Sequence, residues 1–265
     1  YRYKKFAQFY PEGFLKSDDS DISKYARERF DLLAKELNVH QPGKALEVGC
    51  AYGHFLRHFN GMGWQAWGVD PSGPETQFAR EVFGLKNVLN CRLEEANLEK
   101  ASFHLIMAFH VLEHVSHPMV MLKDMVDLLA PGGCIAIATP NLETISVDLM
   151  EYFFYCQAFH LHTFSKEILR EMLERCGIEV VQIIDEVKRT FHTSSMLLIG
   201  YKRAKPQTLQ KKAVSFSQHF VAKTEALVRN YHSSLQTRSE ILRKNFSTWI
   251  KSRLRIGIYG AGLHT

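Results

Sequence analysis

The chain has 265 residues, of which 46% are hydrophobic and 23% charged, and its net charge is +5. Five cysteines stand at positions 50, 91, 134, 156 and 176 without a C-x-x-C spacing, which argues against a zinc site and a disulfide framework. The sequence shows no signal peptide and no apolar run of membrane-spanning length, so we expect a cytoplasmic globular protein without a membrane span.

The positive charge is concentrated near one end of the chain. Residues 204–255 contain six lysines and five arginines against two glutamates, so the other residues together carry a small net negative charge. A nucleic-acid substrate for the main part of the chain is therefore not favoured.

The N-terminal segment, residues 1–40, combines aromatic and charged residues with a helix. The aromatic residues of 1–20, among them Tyr10, could form a lid over a substrate pocket or simply anchor the segment to the domain surface. Apolar residues at helical spacing predict a helix over 21–38, capped by Ser20 or Asp21.

Residues 41–203 alternate between predicted strands and helices. The strands are predicted at 44–48, 64–69, 87–91, 103–109, 134–138, 178–184 and 195–201, and the later helices at 75–83, 118–129 and 165–176. Such alternation predicts an α/β fold, a mostly parallel sheet with helices on both faces. The last two strands have no clear helix between them, which favours an antiparallel pair at one edge.

Residues 204–253 form a predicted basic helical extension or linker, in which apolar residues recur every four to seven positions. Most such basic faces are solvent-facing surfaces, although a membrane-surface or nucleic-acid role stays open. Residues 254–265 are interpreted either as the start of a second nucleotide-binding unit or as a strand added to the edge of a sheet.

A glycine turn follows the first predicted strand. Gly49 and Gly53 stand between this strand and a helix, and glycine lets the backbone approach a ligand closely. Their spacing, G-x-x-x-G, differs from the dinucleotide pattern G-x-G-x-x-G and argues against NAD. Asp70 ends the second strand, where a carboxylate can accept hydrogen bonds from ribose hydroxyls. Together these features predict an adenosine site.

The segment from Leu46 to Gly53 resembles motif I of the class I S-adenosylmethionine (SAM)-dependent methyltransferases, with Ala51 in place of the middle glycine. The resemblance continues over roughly residues 40–200. His110–Val115 is similar to a loop in the branch that includes the ubiquinone-biosynthesis O-methyltransferases. The family resemblance implies a doubly wound, seven-stranded Rossmann-like sheet, with SAM as cofactor and S-adenosylhomocysteine as product.

The resemblance also implies which residues contact the cofactor. Glu47, Gly49, Cys50, Ala51 and Gly53 would lie at its methionine end, Asp70 and Pro71 at the ribose, Leu93 and Glu94 at the adenine, and Phe109 and His110 along the methionine part. The usual aspartate before Leu93 is replaced by Arg92, so Leu93 is the preferred adenine contact and Glu94 the secondary one.

The pair His110 and His114 also has the i, i+4 spacing of metal ligands, with His117 as a third candidate. The zinc-hydrolase pattern requires a glutamate directly after the first histidine, whereas here Glu113 comes third. We therefore favour the cofactor-loop interpretation, in which Glu113 and His114 fix the loop by hydrogen bonds, and predict no metal.

His160 and His162 lie in a segment that the family places at the rim of the active site. Methyl transfer from a sulfonium needs alignment more than acid–base help, but an oxygen nucleophile still loses a proton. We therefore predict His160 as the first candidate for the base, followed by His162 and Tyr10. His40, His54 and His58 are interpreted as surface or packing residues.

The resulting hypothesis is SAM-dependent methylation of a small molecule, at oxygen, with a sugar or other biosynthetic intermediate as acceptor. Two alternatives stay open: a nucleic-acid methyltransferase anchored by the basic helices, and a non-catalytic SAM-binding module. The oligomeric state is left open.

Overall fold

The computed structural model of the chain describes residues 15–18, 20–37, 41–144, 160–186, 195–204 and 218–252. The chain divides into two compact units, Tyr1–Ile145 with Phe154–Lys212, and Ser146–Phe153 with Ala213–Thr265. The predicted segment boundaries near residues 40, 203 and 253 stay predictions. Tyr10 and the predicted second glycine turn after residue 254 lie outside the described residues.

The elements of the first unit follow one another in alternation. They are α1 (Asp21–Glu36), β1 (Lys44–Val48), α2 (Leu56–Gly61), β2 (Gln65–Val69), α3 (Gly73–Phe83), β3 (Asn87–Leu89), β4 (Phe103–Phe109), α4 (Pro118–Leu128), β5 (Leu129–Pro140), α5 (Lys166–Arg175), β6 (Ile178–Glu186) and β7 (Ser195–Lys202). Short 3-10 turns cover Leu93–Glu95, Leu112–His114 and Leu142–Thr144.

The strands form one seven-stranded sheet in the order β3-β2-β1-β4-β5-β7-β6. Strand β7 runs antiparallel to β5 and β6, and all other neighbours are parallel. The prediction of a doubly wound, mostly parallel sheet with an antiparallel pair at one edge is thus confirmed.

Both faces of the sheet are covered by helices, and successive side chains of a strand point to opposite faces. On β4, Met107 belongs to the core cluster that contains Leu33 of α1 and Phe59 of α2. Its neighbour Ile106 belongs to the second cluster, with Leu122 of α4 and Leu169 of α5. Helix α1 therefore covers the same face as α2.

Three helix ends have local caps, of which Ser20 was predicted from the sequence. The Ser20 hydroxyl accepts a hydrogen bond from the backbone N–H of Ser23 at 3.2 Å, and Ser165 does the same for Ile168 at 3.3 Å. Gly84 ends α3 in the left-handed region, with φ of 65°.

Strand β5 begins earlier than predicted. The sequence predicts a turn at 130–133 and a strand from residue 134, whereas β5 starts at Leu129. Phe103 of β4 pairs with Leu129, and Leu105 pairs with Cys134, so the extra residues of β5 form a bulge between two paired positions. Pro and Gly interrupt the ladder here without ending the strand.

The segment before α1 is tied to the helix after the glycine turn. Nε2 of His54 lies 2.8 Å from the backbone carbonyl oxygen of Leu15, which requires the proton on Nε2. Arg57 of α2 forms an ion pair with Asp18. His54 is 4% exposed and is a packing residue, as expected.

We expect replacement of His54 by glutamine to remove part of the pH dependence of stability. Burial lowers the pKa of His54 to about 4, although the hydrogen bond to Leu15 opposes the shift. The unfolded histidine, with a pKa near ~6.5, therefore binds the proton first, and stability present above that pH is lost as the pH falls towards 4. Urea titrations should show a slope smaller by up to about 1.4 kcal/mol per pH unit in His54→Gln. The exposed residue His117 supplies the control, since His117→Gln should keep the wild-type slope. Equal slopes in wild type and His54→Gln would contradict the assignment.

The second unit is described by one long helix, α6 (Gln218–Lys251), where the sequence predicted one or two. Arg229 and Glu225 form an ion pair of 3.3 Å along it, and Val221, Val228, Ile241 and Leu242 are exposed. None of the helices in the described ranges has the length and apolar content needed to cross a lipid bilayer.

Candidate active site

The predicted cofactor residues gather at the carboxyl edge of the sheet. Gly49 follows β1, Asp70 follows β2 and His110 follows β4. Strands β2 and β4 lie on opposite sides of β1, so the chain order reverses at β1. In open α/β sheets, ligands bind outside the carboxyl ends of the strands at such a reversal.

The turn after β1 takes a backbone shape that favours glycine. Gly49 has a φ of 76°, and its N–H donates to the carbonyl oxygen of Val69 at 2.8 Å. A Cβ at this position would overlap Cγ2 of Val111. Gly53 also has a φ of 76°, and a Cβ there would lie 2.6 Å from Cδ1 of Leu85. Both glycines therefore permit contacts that no other residue would allow.

Ala51 and Cys50 complete the turn in different ways. Ala51 has a φ of 42°, which is strained for a residue with a Cβ. This backbone conformation explains why motif I usually has a glycine at this position. Cys50 is buried, and its Sγ would lie 2.6 Å from a Cβ on Gly68. The thiol therefore faces the core, and only the backbone of Cys50 is left to contact a ligand.

Asp70 is held in one orientation by two backbone groups. Oδ2 accepts a hydrogen bond from the N–H of Ala51 at 3.0 Å, and Oδ1 accepts one from the N–H of Ser72 at 2.8 Å. Burial nevertheless raises the pKa of Asp70 above its ordinary value. Each oxygen retains a further lone pair for a ligand hydroxyl. The neighbouring residue Pro71 is exposed.

Glu47 and Arg29 bring opposite charges to the site, and both are buried. Glu47 is 6% exposed, and its Oε2 has no hydrogen-bond partner among the described residues. Burial, reinforced by the charge of Asp70, holds the pKa of Glu47 well above its ordinary value. Arg29 of α1 is 3% exposed, and its Nε and Nη1 likewise have no partner there. The guanidinium lies close enough to Glu47 to lower its pKa in part, but these two side chains form no ion pair with each other.

The rest of the Arg29 guanidinium is firmly fixed. Nη2 donates to Oε2 of Glu186 at 2.6 Å and to the hydroxyl of Tyr25. The guanidinium carbon lies 4.6 Å from the ring centroid of Phe109, and that ring packs edge to face on Phe55 with centroids 5.0 Å apart. Nη2 therefore holds the Arg29 side chain in place, while Nε and Nη1 have no hydrogen-bond partner among the described residues.

His110 connects α1 to a buried carboxylate. Its Nε2 lies 3.3 Å from the hydroxyl oxygen of Tyr25, and its Nδ1 lies 3.4 Å from Oε1 of Glu113. The other oxygen of Glu113 accepts a hydrogen bond from the hydroxyl of Thr139 at 3.2 Å. Burial alone would raise the pKa of Glu113, but the contact with His110 outweighs it and the pKa lies below its ordinary value. Glu113 is therefore the anionic end of this chain of contacts.

The two predicted adenine contacts differ in accessibility. Leu93 is 7% exposed and packs in the core cluster beside α4. The Glu94 side chain is 59% exposed, and its carboxylate lies 3.9 Å from Nη1 of Arg92. Leu93 can offer an apolar surface to a base, whereas Glu94 is directed to solvent and its predicted role at the adenine has no support from this geometry.

The histidines predicted as bases stand beside the loop of residues 110–114. The rings of His160 and His114 pack edge to face with centroids 4.8 Å apart. The backbone N–H of His162 donates to the carbonyl oxygen of Glu113 at 3.2 Å, and its Nε2 has no hydrogen-bond partner among the described residues. Tyr10, the third candidate, is not among those residues.

Potential ligand atoms of Glu113, His114 and His160 lie within 4.8 Å of one another. This grouping differs from the set of His110, His114 and His117 that the sequence offered as an alternative. His117 is exposed. One carboxylate oxygen of Glu113 accepts a hydrogen bond from Thr139, and the other lies 3.4 Å from Nδ1 of His110. The absence of a metal here stays a prediction.

Sequence reasoning missed Arg29 and Tyr25. Both lie on α1, which the sequence predicts only as a helix of the N-terminal segment, and no local motif marks them. The only pointer is their i, i+4 spacing, which puts both side chains on one face of the helix.

Comparisons with known proteins agree with the geometry. A family model described as a methyltransferase domain matches residues 19–183. The ubiquinone biosynthesis O-methyltransferase of mouse mitochondria is 30% identical over 240 residues, covering 79% of this chain and 64% of its own length. That of Nitrobacter winogradskyi is 32% identical, covering 43% of this chain and 44% of its own length. The chain thus spans less than two thirds of either relative.

Solved structures show the same fold. A SAM-dependent methyltransferase of Thermotoga maritima superimposes with a TM-score of 0.51 at 20% identity, covering 68% of this chain and 99% of its own. One of Archaeoglobus fulgidus gives a TM-score of 0.54 at 19% identity, covering 67% and 94%.

Proposed function

Because the chain belongs to the class I SAM-dependent methyltransferases, we propose that it transfers the methyl group of SAM to an oxygen atom of a small-molecule acceptor. The relatives named above are O-methyltransferases of ubiquinone biosynthesis. Their names support oxygen as the methylated atom and a biosynthetic intermediate as the acceptor, while a sugar as that intermediate stays a prediction. A cytoplasmic location stays a prediction.

The observation that carries this proposal is the buried pair Arg29 and Glu47. The amino-acid end of SAM is a zwitterion, with one ammonium and one carboxylate. Glu47 Oε2 is a buried acceptor without a partner, and Nε and Nη1 of Arg29 are buried donors without one, among the described residues. Buried polar groups are normally hydrogen-bonded. A ligand with an ammonium for Glu47 and a carboxylate for Arg29 would supply the missing partners.

The remaining cofactor contacts follow from the same edge of the sheet. Asp70 would accept the ribose hydroxyls, Leu93 would lie against the adenine, and the Gly49 turn would let the methionine part approach the backbone. The cofactor supplies an electrophilic methyl group on a good leaving group. The chain's own contribution is to hold the amino-acid end, orient the acceptor in line with the methyl group and exclude water with side chains such as Phe109.

Arg29 and Glu47 together form the proposed cradle for the amino-acid end of SAM. Two ligands and two variants test it. Arg29→Met should weaken SAM binding by between about tenfold and a hundredfold, because a buried charged hydrogen-bond partner of the carboxylate is lost. The same variant should bind 5′-methylthioadenosine as the wild type does, since that molecule has the adenosine and the thioether but no amino-acid end. Isothermal titration calorimetry measures both affinities.

Glu186→Gln is the matched control. It removes the ion pair between Glu186 and Arg29 but leaves Nε and Nη1 of the guanidinium in place. Because the amide oxygen of glutamine can still accept the hydrogen bond from Nη2, SAM affinity should stay within about threefold of wild type. Equal losses for SAM and 5′-methylthioadenosine in Arg29→Met would contradict the cradle, and absence of SAM binding by the wild type would contradict the proposed function.

The nucleic-acid alternative has a separate test. Binding of a generic RNA or duplex DNA that weakens steeply with salt would favour it. No binding at low salt would remove it and leave the small-molecule proposal in place.

A further inference from the structure

We infer that the Tyr25 hydroxyl is the catalytic group that contacts the acceptor oxygen and takes its proton, with His110 and Glu113 as positioning residues behind it. This inference rests on the proposed function, since it needs a hydroxyl acceptor. It replaces His160, His162 and Tyr10 as the candidate base with a residue that the sequence pattern did not single out.

The first argument is the direction of the hydrogen bonds. Arg29 can only donate, so the Tyr25 oxygen accepts from it. Glu113 is a buried carboxylate that accepts from Thr139 and faces Nδ1 of His110. Oε1 of Glu113 is buried without a described hydrogen-bond partner and lies 3.4 Å from Nδ1, so its charge favours the tautomer with the proton on Nδ1. Nε2 is then left as an acceptor for the Tyr25 hydroxyl proton.

The resulting chain runs one way, from Arg29 through Tyr25 and His110 to Glu113. A hydroxyl whose proton points at an imidazole, with that imidazole held by a carboxylate, is the arrangement that activates hydroxyl groups in nucleophilic catalysis. Here the guanidinium of Arg29 adds a positive charge beside the oxygen that would become negative.

The second argument is the position and backbone of His110. It directly follows β4, at the edge of the sheet where Gly49 and Asp70 also lie. Its φ is 54°, which is uncommon for a residue other than glycine, and its N–H donates to the carbonyl oxygen of Ala138 at 2.9 Å. Backbone strain of this kind clusters at functional sites, where the surrounding structure holds it.

Burial and charge keep the network in place. The side chain of Glu113 is 1% exposed and that of His110 is 31% exposed, so the anion is buried and the imidazole is partly accessible to solvent. The charged groups that act on Tyr25 are Arg29, Glu186 and Glu113, and burial raises the pKa of Tyr25 to about 12. The phenol is therefore protonated at rest, and it takes up the acceptor's proton only as it passes its own to His110.

The step balances as follows. The acceptor hydroxyl gives its proton to the Tyr25 oxygen while the Tyr25 proton moves to Nε2 of His110. The acceptor oxygen forms a bond to the methyl carbon, and the electron pair of the broken carbon–sulfur bond stays on sulfur. Glu113 balances the positive imidazole until the proton returns to water through Tyr25.

The test compares two acceptors of different acidity, catechol and 4-nitrocatechol. The nitro group makes the second diol ionise readily, so it reaches the site already deprotonated. Tyr25→Phe keeps the ring beside Arg29 but removes the hydroxyl. Its kcat should fall about a hundredfold with catechol and only a few-fold with 4-nitrocatechol, while SAM affinity stays within about threefold. A merely structural role would lower both rates alike.

Two further variants sharpen the result. Tyr201→Phe makes the same change on β7 opposite Cys134, away from the carboxyl edge, and should keep full activity. His110→Gln should reproduce the acceptor-dependent loss, and the double variant Tyr25→Phe/His110→Gln should be no worse than the poorer single one, because residues that act as a unit are not additive.

The possible results distinguish the role inferred for Tyr25 from the proposed function. Equal losses on both diols, full activity of Tyr25→Phe, or a rate abolished by a metal chelator and indifferent to Tyr25→Phe would each overturn the inference. If the wild type binds SAM but methylates neither diol, the inference is overturned and the cofactor site stands. If the wild type binds no SAM, the proposed function itself fails.

Discussion

Replacing Gly49 by alanine should destabilise the protein by about 2–5 kcal/mol and abolish SAM binding. The φ of 76° costs a residue with a Cβ about 1–2 kcal/mol, and the new methyl group would overlap Cγ2 of Val111, an overpacking that costs about 1–3 kcal/mol more. Urea denaturation measures the first effect and calorimetry the second.

Two variants separate these costs. Gly84 has a φ of 65° and nothing within 4 Å of a Cβ, so Gly84→Ala should show the backbone cost alone. In the double variant Gly49→Ala/Val111→Ala the overlap is relieved, and a double-mutant cycle should show a favourable coupling of about 1–3 kcal/mol. Strict additivity of the two single changes would contradict the assigned contact.

The residues that follow the parallel strands could be predicted from the sequence for a geometric reason. Gly49, Asp70 and His110 lie far apart in the chain, but each comes directly after a strand, and parallel strands end at the same edge. Recognising three strands is then enough to place three residues together. The resemblance to motif I added the identity of the ligand.

The contribution of α1 could not be predicted in the same way. An amphipathic pattern shows that a helix covers a sheet but does not show where on the sheet it lies. Arg29 meets Glu186, 157 positions later, and Tyr25 meets His110, 85 positions later. Only the packed arrangement reveals which polar residues of the helix face the ligand edge.

The choice between candidate bases depends on contacts that sequence patterns do not show. The sequence favours His160 because it lies in a segment that the family places at the rim of the active site. In the structure its ring packs on His114, whereas His110 has both a carboxylate and a phenol at its two nitrogens. The distinction depends on the partners of each ring nitrogen. Tyr25 comes from α1, far away in the chain, and Glu113, three residues after His110, is held by Thr139 of β5.

Asp70→Ala should weaken SAM binding more than a hundredfold and weaken 5′-methylthioadenosine equally. Two hydrogen bonds from ribose hydroxyls to a carboxylate are together worth about 3–6 kcal/mol. The alanine variant also leaves the N–H groups of Ala51 and Ser72 without their acceptor, which loosens the turn that holds the methionine part.

Comparison of Asp70→Ala with the Arg29→Met variant tests the whole layout of the site. Asp70 acts on the half of the cofactor that 5′-methylthioadenosine shares, and Arg29 acts on the half that it lacks. The exposed residue Glu94 supplies a control, because Glu94→Gln should leave both affinities within about twofold.

The pH dependence gives an independent check on Asp70. Because burial raises its pKa, the carboxylate loses its charge at a higher pH than an ordinary aspartate does as the solution is acidified. Affinity for 5′-methylthioadenosine, which lacks the amino-acid end proposed to face Glu47, should therefore be full at neutral pH and decline on acidification. This decline should be absent from the weak residual binding of Asp70→Asn. A wild-type affinity that is flat across the acidic range would contradict the assignment of Asp70 to the ribose.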